Sequence, residues 1–220
     1  AHEAIGLGAE LLPLRHRVAV ASGAPPPPAE PRPENGRAVS DTGQLVWAAR
    51  GEGRGIVTVD TPRTKAVIGF GGGSAFPLGP VTLQPGPTAQ HGFGVWAVTA
   101  MDGSAPLDRA RRIIIVALGY SQNTDPQWTI YPDRPVGAAP PPDGVSVTLG
   151  RHWGDPPVLA EGVPARITVA ANRGRVRVWA LDERGQRREP VPVDLEPGRA
   201  IVEIGPQYHT LWYEVETDAP

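Results

Sequence analysis

Apolar residues in this chain come in short runs, each closed by Gly, Pro, Asp or Asn, which is how strands and their turns are written. From residue 38 the runs are Leu45–Trp47, Ile56–Val59, Ala66–Phe70, Val81–Leu83, Gly94–Ala100 and Ile113–Leu118. After a pause they resume at Val158–Ala160, Ala165–Ala170, Arg175–Leu181, Glu189–Val193, Ala200–Ile204 and Leu211–Val215. Arg175–Leu181 alternates, so Val176, Val178 and Ala180 share one face. Ile113–Leu118 does not alternate at all, which predicts a central strand buried on both faces. Asp41-Thr42-Gly43 and Asp102-Gly103 read as hairpin turns, and Asp182-Glu183-Arg184-Gly185 closes a third.

Strands without βα alternation predict an all-β protein of sandwich, Ig-like type, with β regions at 38–120 and 158–220 that read as two small packed β domains or, alternatively, as one sandwich. Residues 121–157 form a loop-rich connection with a short strand at Val145–Leu149. Residues 1–20 are the one plausible helix, with Ala4, Ile5, Leu7, Ala9, Leu11, Leu12 and Leu14 near the i, i+3, i+4, i+7 template. Its glycines and Pro13 weaken it, at about 1 kcal/mol per glycine. Such a helix needs something to pack on. Residues 21–37 contain four consecutive prolines and read as an extended, proline-rich linker.

Composition narrows the chemistry. The 27 Gly and 27 Pro punctuate the strands, and the formal net charge of −2 gives no reason to expect nucleic acid as a partner. No apolar run reaches the length of a membrane-spanning helix, so membrane insertion is not expected. With no cysteine there is neither disulfide, thiolate nucleophile nor Cys-based metal site. The chain starts without a charged-plus-apolar leader and reads as either a mature chain or a fragment of a longer protein, the fragment being the expectation.

Catalytic motifs are not found. The Gly71-Gly72-Gly73 turn after Phe70 lacks the following helix that would hold a pyrophosphate. The five histidines are not spaced as metal ligands, so neither metal nor cofactor is expected. Glu161, Asp182, Glu183, Glu189, Glu203 and Glu214 lie at strand ends or turns beside arginines and read as solvated charges rather than a glycosidase pair. No catalytic residue is assigned. Among the aromatics, Trp47, Trp96, Trp179 and Trp212 lie within strands and are expected in the core. Trp128, Tyr131 and Trp153 lie in the loop-rich connection. There they either anchor loops or stack on sugar rings, and they are the candidate carbohydrate-binding residues.

A resemblance adds to this. VSDTGQLVWAARGEGRGIVTVDTPRTKAVIGF (residues 39–70), LDRARRIIIVALGYSQNTDPQW, GDPPVLAEGVPARITV, VWALDERGQRREPVPV and IGPQYHTLWYEVE, in that order, resemble the C-terminal region of large bacterial glycoside-hydrolase-like proteins. These carry a (β/α)₈ catalytic barrel followed by β-sandwich domains. The resemblance implies that residues 1–20 are the last barrel helix and exit segment. It also implies that the catalytic glutamates lie upstream, that the partner is the barrel, with polysaccharide as a further candidate, and that the protein is extracellular or periplasmic. The expected role is a non-catalytic accessory region. The alternatives are a free-standing carbohydrate-binding module and an Ig-like interaction or adhesion module.

Overall fold

A computed structural model describes residues 15–16, 35–51, 54–130, 134–137, 147–170 and 175–218. All but two residues of the expected helix, and nearly all of the proline-rich linker, lie outside the described residues.

Strands dominate. The first eight are β1 (Arg37–Val39), β2 (Leu45–Gly51), β3 (Arg54–Asp60), β4 (Thr64–Phe70), β5 (Phe76–Leu78), β6 (Val81–Pro85), β7 (Phe93–Ala100) and β8 (Arg112–Leu118). The connection holds β9 (Ser121–Thr124), β10 (Trp128–Ile130), β11 (Arg134–Gly137), β12 (Val147–Thr148) and β13 (Asp155–Ala160). The last six are β14 (Ala165–Ala170), β15 (Val176–Leu181), β16 (Arg187–Val191), β17 (Val193–Glu196), β18 (Arg199–Ile204) and β19 (Trp212–Thr217). The protein is all-β.

Two antiparallel sheets form the sandwich. The larger runs β1-β2-β3-β4-β7-β8-β19-β15-β16 and the smaller β17-β18-β14-β6-β5. Both contain strands from both halves of the chain: β8 pairs with β19, so that Ile113 faces Val215, and β6 pairs with β14, so that Leu83 faces Ile167. The regions 38–120 and 158–220 thus complete each other's sheets by backbone hydrogen bonds. Glu189–Val193, read as one strand, is two: the chain leaves the large sheet after Val191 and joins the small one at Val193.

The core lies between the sheets. Val67, Trp96, Ile115, Val178 and Tyr213 project from the large sheet against Leu83, Ile167, Val202 and Ile204 of the small one. Burying side chains of this size contributes about 1.5–3 kcal/mol each before entropy is charged against it. Trp96 fits because Gly94, two residues before it, is bare. A Cβ on Gly94 would stand 2.6 Å from the Trp96 ring. Turn chemistry follows the sequence at Gly43 and Gly185, both left-handed. At Asp102-Gly103 a turn forms as well, with Gly103 left-handed and Ala105 N–H donating to the Asp102 carbonyl at 2.9 Å, but it is one part of a longer connection between β7 and β8. Residues 101–111 form a longer loop, folded back by the Asp102 carboxylate accepting from the Arg111 and Arg112 backbone N–H groups.

Candidate functional site

The outward side of the large sheet is apolar. Alternate residues of its central strands point into the core, and their neighbours form rows across the sheet. One row runs Trp47, Val57, Ile68, Val95, Leu118. The next runs Leu45, Val59, Ala66, Ala97, Val116, Trp212. From β2 to β19 the face is about 24 Å wide at the usual strand spacing. Phe70 and Phe93 extend it, their rings edge-to-face at 5.2 Å with Arg54 stacked on Phe70. Leu45, Ile68, Phe93 and Trp212 are exposed. A contiguous apolar surface on a sheet commonly marks an interface.

This face corrects two expectations. In β8, Ile113, Ile115 and Ala117 are buried or nearly so, whereas Ile114 and Val116 on the other side are only half-buried. The strand is central as expected, but one of its apolar sides is not in the core. Of the four strand tryptophans only Trp96, 0% exposed, is core. Trp47 lies over Gly55, where a Cβ would stand 3.0 Å from its Nε1. Trp179 lies under Arg177 and Arg187, and Trp212 ends the second apolar row. Strand parity carries the missing signal: once Val176, Val178 and Ala180 face inward, Trp179 must face outward.

The face ends in charge. Glu214, mid-strand in β19 and 7% exposed, accepts from Arg112 Nε and Arg187 Nε at 2.8 Å each. These guanidinium hydrogen bonds hold its carboxyl below the usual glutamate range against the opposing effect of burial. Glu214 is therefore not the solvated turn charge expected. Glu161 is also committed, accepting from the Ala89 and Tyr120 N–H groups. Glu203 pairs with Arg166 and Glu189 with Arg188.

A groove of 490 Å³ opens beside Trp212, between β13 (Val158, Ala160) and Thr210–Leu211, with Asp182, Arg188 and His209 on its walls. Its polar groups serve the protein's own backbone: Asp182 Oδ1 accepts from the Arg184 and Gln186 N–H groups, Thr210 donates to the Leu181 carbonyl, and Arg188 donates to the Tyr208 carbonyl. Among the described residues no three His, Asp or Glu side chains are grouped to hold a metal ion. Nor is any helix among them long and apolar enough to cross a membrane.

Of the candidate sugar-stacking residues, Trp128 is half-buried in β10, Trp153 is 62% exposed and Tyr131 lies outside the described residues. The backbones around the two tryptophans adjoin, since Gln127 N–H donates to the His152 carbonyl at 3.0 Å. Their rings do not meet: the ring–ring contacts among the described residues are Phe70–Phe93 and Tyr208–Tyr213. No protein family, curated protein or solved structure matches the chain.

Proposed function

We propose that this chain is a non-catalytic accessory β-sandwich region of a secreted, glycoside-hydrolase-like bacterial protein, and that the apolar face of its large sheet packs on the neighbouring catalytic barrel. The observation carrying this reading is the face itself, two apolar rows crossing five or six strands. Left in water, such a surface favours association. The barrel is assigned as occupant because the chain approaches this sheet from its N-terminal side. The Arg15 carbonyl accepts from Asp41 N–H at 2.9 Å, and His16 Nδ1 lies 3.2 Å from Asp41 Oδ2, in the β1–β2 turn next to Leu45. On this reading the barrel, preceding residue 15, is tethered at the edge of the face. The family assignment rests on sequence resemblance, an associational argument.

The test is an assay of the purified chain on a panel of glycosides and polysaccharides. The reading expects no hydrolysis. Turnover abolished by a single carboxylate substitution overturns it.

A second role, polysaccharide contact, is favoured by the exposure of the Trp153 ring, since apolar sugar faces stack on such surfaces. It expects retention on an insoluble polysaccharide that Trp153→Ala removes. Equal behaviour of parent and variant rejects it.

A further inference from the structure

Strand β13 has one open edge. Among the described residues it pairs only with β9, with Val158 opposite Asn123, Leu159 opposite Gln122 and Ala160 opposite Ser121. The next residue, Glu161, gives its N–H to the Tyr120 carbonyl at 2.8 Å, on the β9 side. Backbone groups alternate along an antiparallel ladder, so Leu159 shares that side, and Val158 and Ala160 turn their N–H and C=O groups the other way. These are the two residues of β13 that line the groove of 490 Å³. All of β13 is exposed, Val158 to 66%, so this unpaired edge is open to a further strand.

The groove also carries a charge. Arg188 is committed to the Tyr208 carbonyl and to Glu189. Asp182 spends Oδ1 on the Arg184 and Gln186 N–H groups, which leaves Oδ2. Glu183, exposed in the same turn, makes no hydrogen bond or ion pair among the described residues. The uncommitted charge is therefore negative, and it adjoins the apolar Leu181 and Leu211.

We propose that the groove takes an extended peptide segment, added to β13 as a further strand at Val158–Ala160, with a Lys or Arg side chain set beside Asp182 and Glu183. In strand addition the backbone hydrogen bonds supply affinity, and sites for alternate side chains supply selectivity. The segment is short. Pro156 and Pro157 carry no N–H and end the usable edge on one side. They also argue against a second copy as the occupant, because β13 laid antiparallel to itself about Leu159 would set Pro157 opposite Glu161 in the ladder. Trp212, at the lip of the groove, stays with the apolar face, so the site goes beyond the barrel reading and does not share its contacts.

The test titrates the full chain with acetylated, amidated peptides of alternating Thr and Val that carry Lys, Gln or Glu at the centre. Backbone amide signals of the chain are followed by NMR. The Lys peptide is expected to shift the Val158 and Ala160 amides and to bind about tenfold more tightly than the Glu peptide, with the Gln peptide between them. Glu183→Gln, in an exposed turn, is expected to cut that ratio to about threefold or less. N-methylation of one alternate set of peptide amides is expected to abolish binding, and methylation of the other set to leave it intact. No shift at Val158 and Ala160 with millimolar peptide overturns the proposal, as does equal affinity for the Lys and Glu peptides or indifference to methylation. Shifts of the same amides by cello-oligosaccharides and not by peptide would assign the groove to sugar and overturn it as well. So would shifts that appear on raising the concentration of the chain alone, which would assign the edge to a second copy. None of these outcomes touches the glycoside assay, so the two readings fail separately.

Discussion

Arg187 reaches across β15 to Glu214, its Nε donating to Oε2 at 2.8 Å while its guanidinium lies 3.8 Å from the centre of the Trp179 ring. The other carboxylate oxygen takes Arg112 from β8, so one buried carboxylate on β19 binds β8, from the first half of the chain, to the β15–β16 hairpin. Breaking it leaves a charge with fewer partners in a nearly buried place, which is costlier than losing an exposed pair.

The Glu214 carboxyl titrates below the usual range in the folded protein because Arg187 and Arg112 bind its ionised form. The stability it contributes is therefore fully present above the unfolded value of about 4.3 and is lost as pH falls through the lower folded value. Glu214→Gln is expected to lower stability at pH 7 by about 1–3 kcal/mol and to flatten the acid limb of a melting-temperature profile. An unchanged acid limb rejects this assignment.

Tyr213 predicts the opposite limb. Its buried hydroxyl donates to the Gly205 carbonyl at 3.1 Å, and burial raises its pKa above the usual phenol value. Its contribution is present below about pH 10 and is lost as pH rises through the higher folded value. Tyr213→Phe orphans the Gly205 carbonyl, which costs about 1–3 kcal/mol, and should remove part of the alkaline destabilisation seen by circular dichroism.

Two glycines of the large sheet are fixed by close approach. An alanine Cβ at Gly94 meets the Trp96 ring at 2.6 Å, and at Gly69, where φ is +117°, it meets the Gly55 carbonyl oxygen at 2.4 Å. Gly94→Ala and Gly69→Ala are each expected to destabilise by about 1–3 kcal/mol in urea unfolding. Gly43→Ala, with open space around the new methyl, carries only the backbone strain of its positive φ and should cost less.

Much of the fold was legible in the chain's punctuation. The runs at Ala66–Phe70, Ala165–Ala170 and Ala200–Ile204 became strands within a residue or two, because Gly and Pro act locally. Pairing was not legible. Nothing near Ile113 announces that Val215, about a hundred residues later, lies opposite it, so the choice between one sandwich and two stayed open in the sequence. The apolar face misled in the same way. Ile114 and Ile115 look alike in sequence, and only the assembled sheet distinguishes the side against the core from the side facing outward. Glu214 was misread because its two arginines come from β8 and β16, far away along the chain.

The two sides of the large sheet should answer substitution differently. Ile115→Ala empties part of the core and is expected to cost about 2–5 kcal/mol. Phe93→Ser, on the outer side, is expected to change stability by less than about 1 kcal/mol while reducing self-association of the isolated chain in sedimentation velocity. Comparable losses of stability for both would mean that the outer side is core.

The account turns on whether the outer face of the large sheet is covered by a larger partner. The most direct measurement is carbene footprinting of this chain alone and joined to the polypeptide encoded immediately upstream. Labelling at Phe93 and Trp212 is expected to fall sharply in the longer protein, with Trp153 and Leu195 unchanged. Equal labelling of Phe93 and Trp212 in both forms would contradict the account.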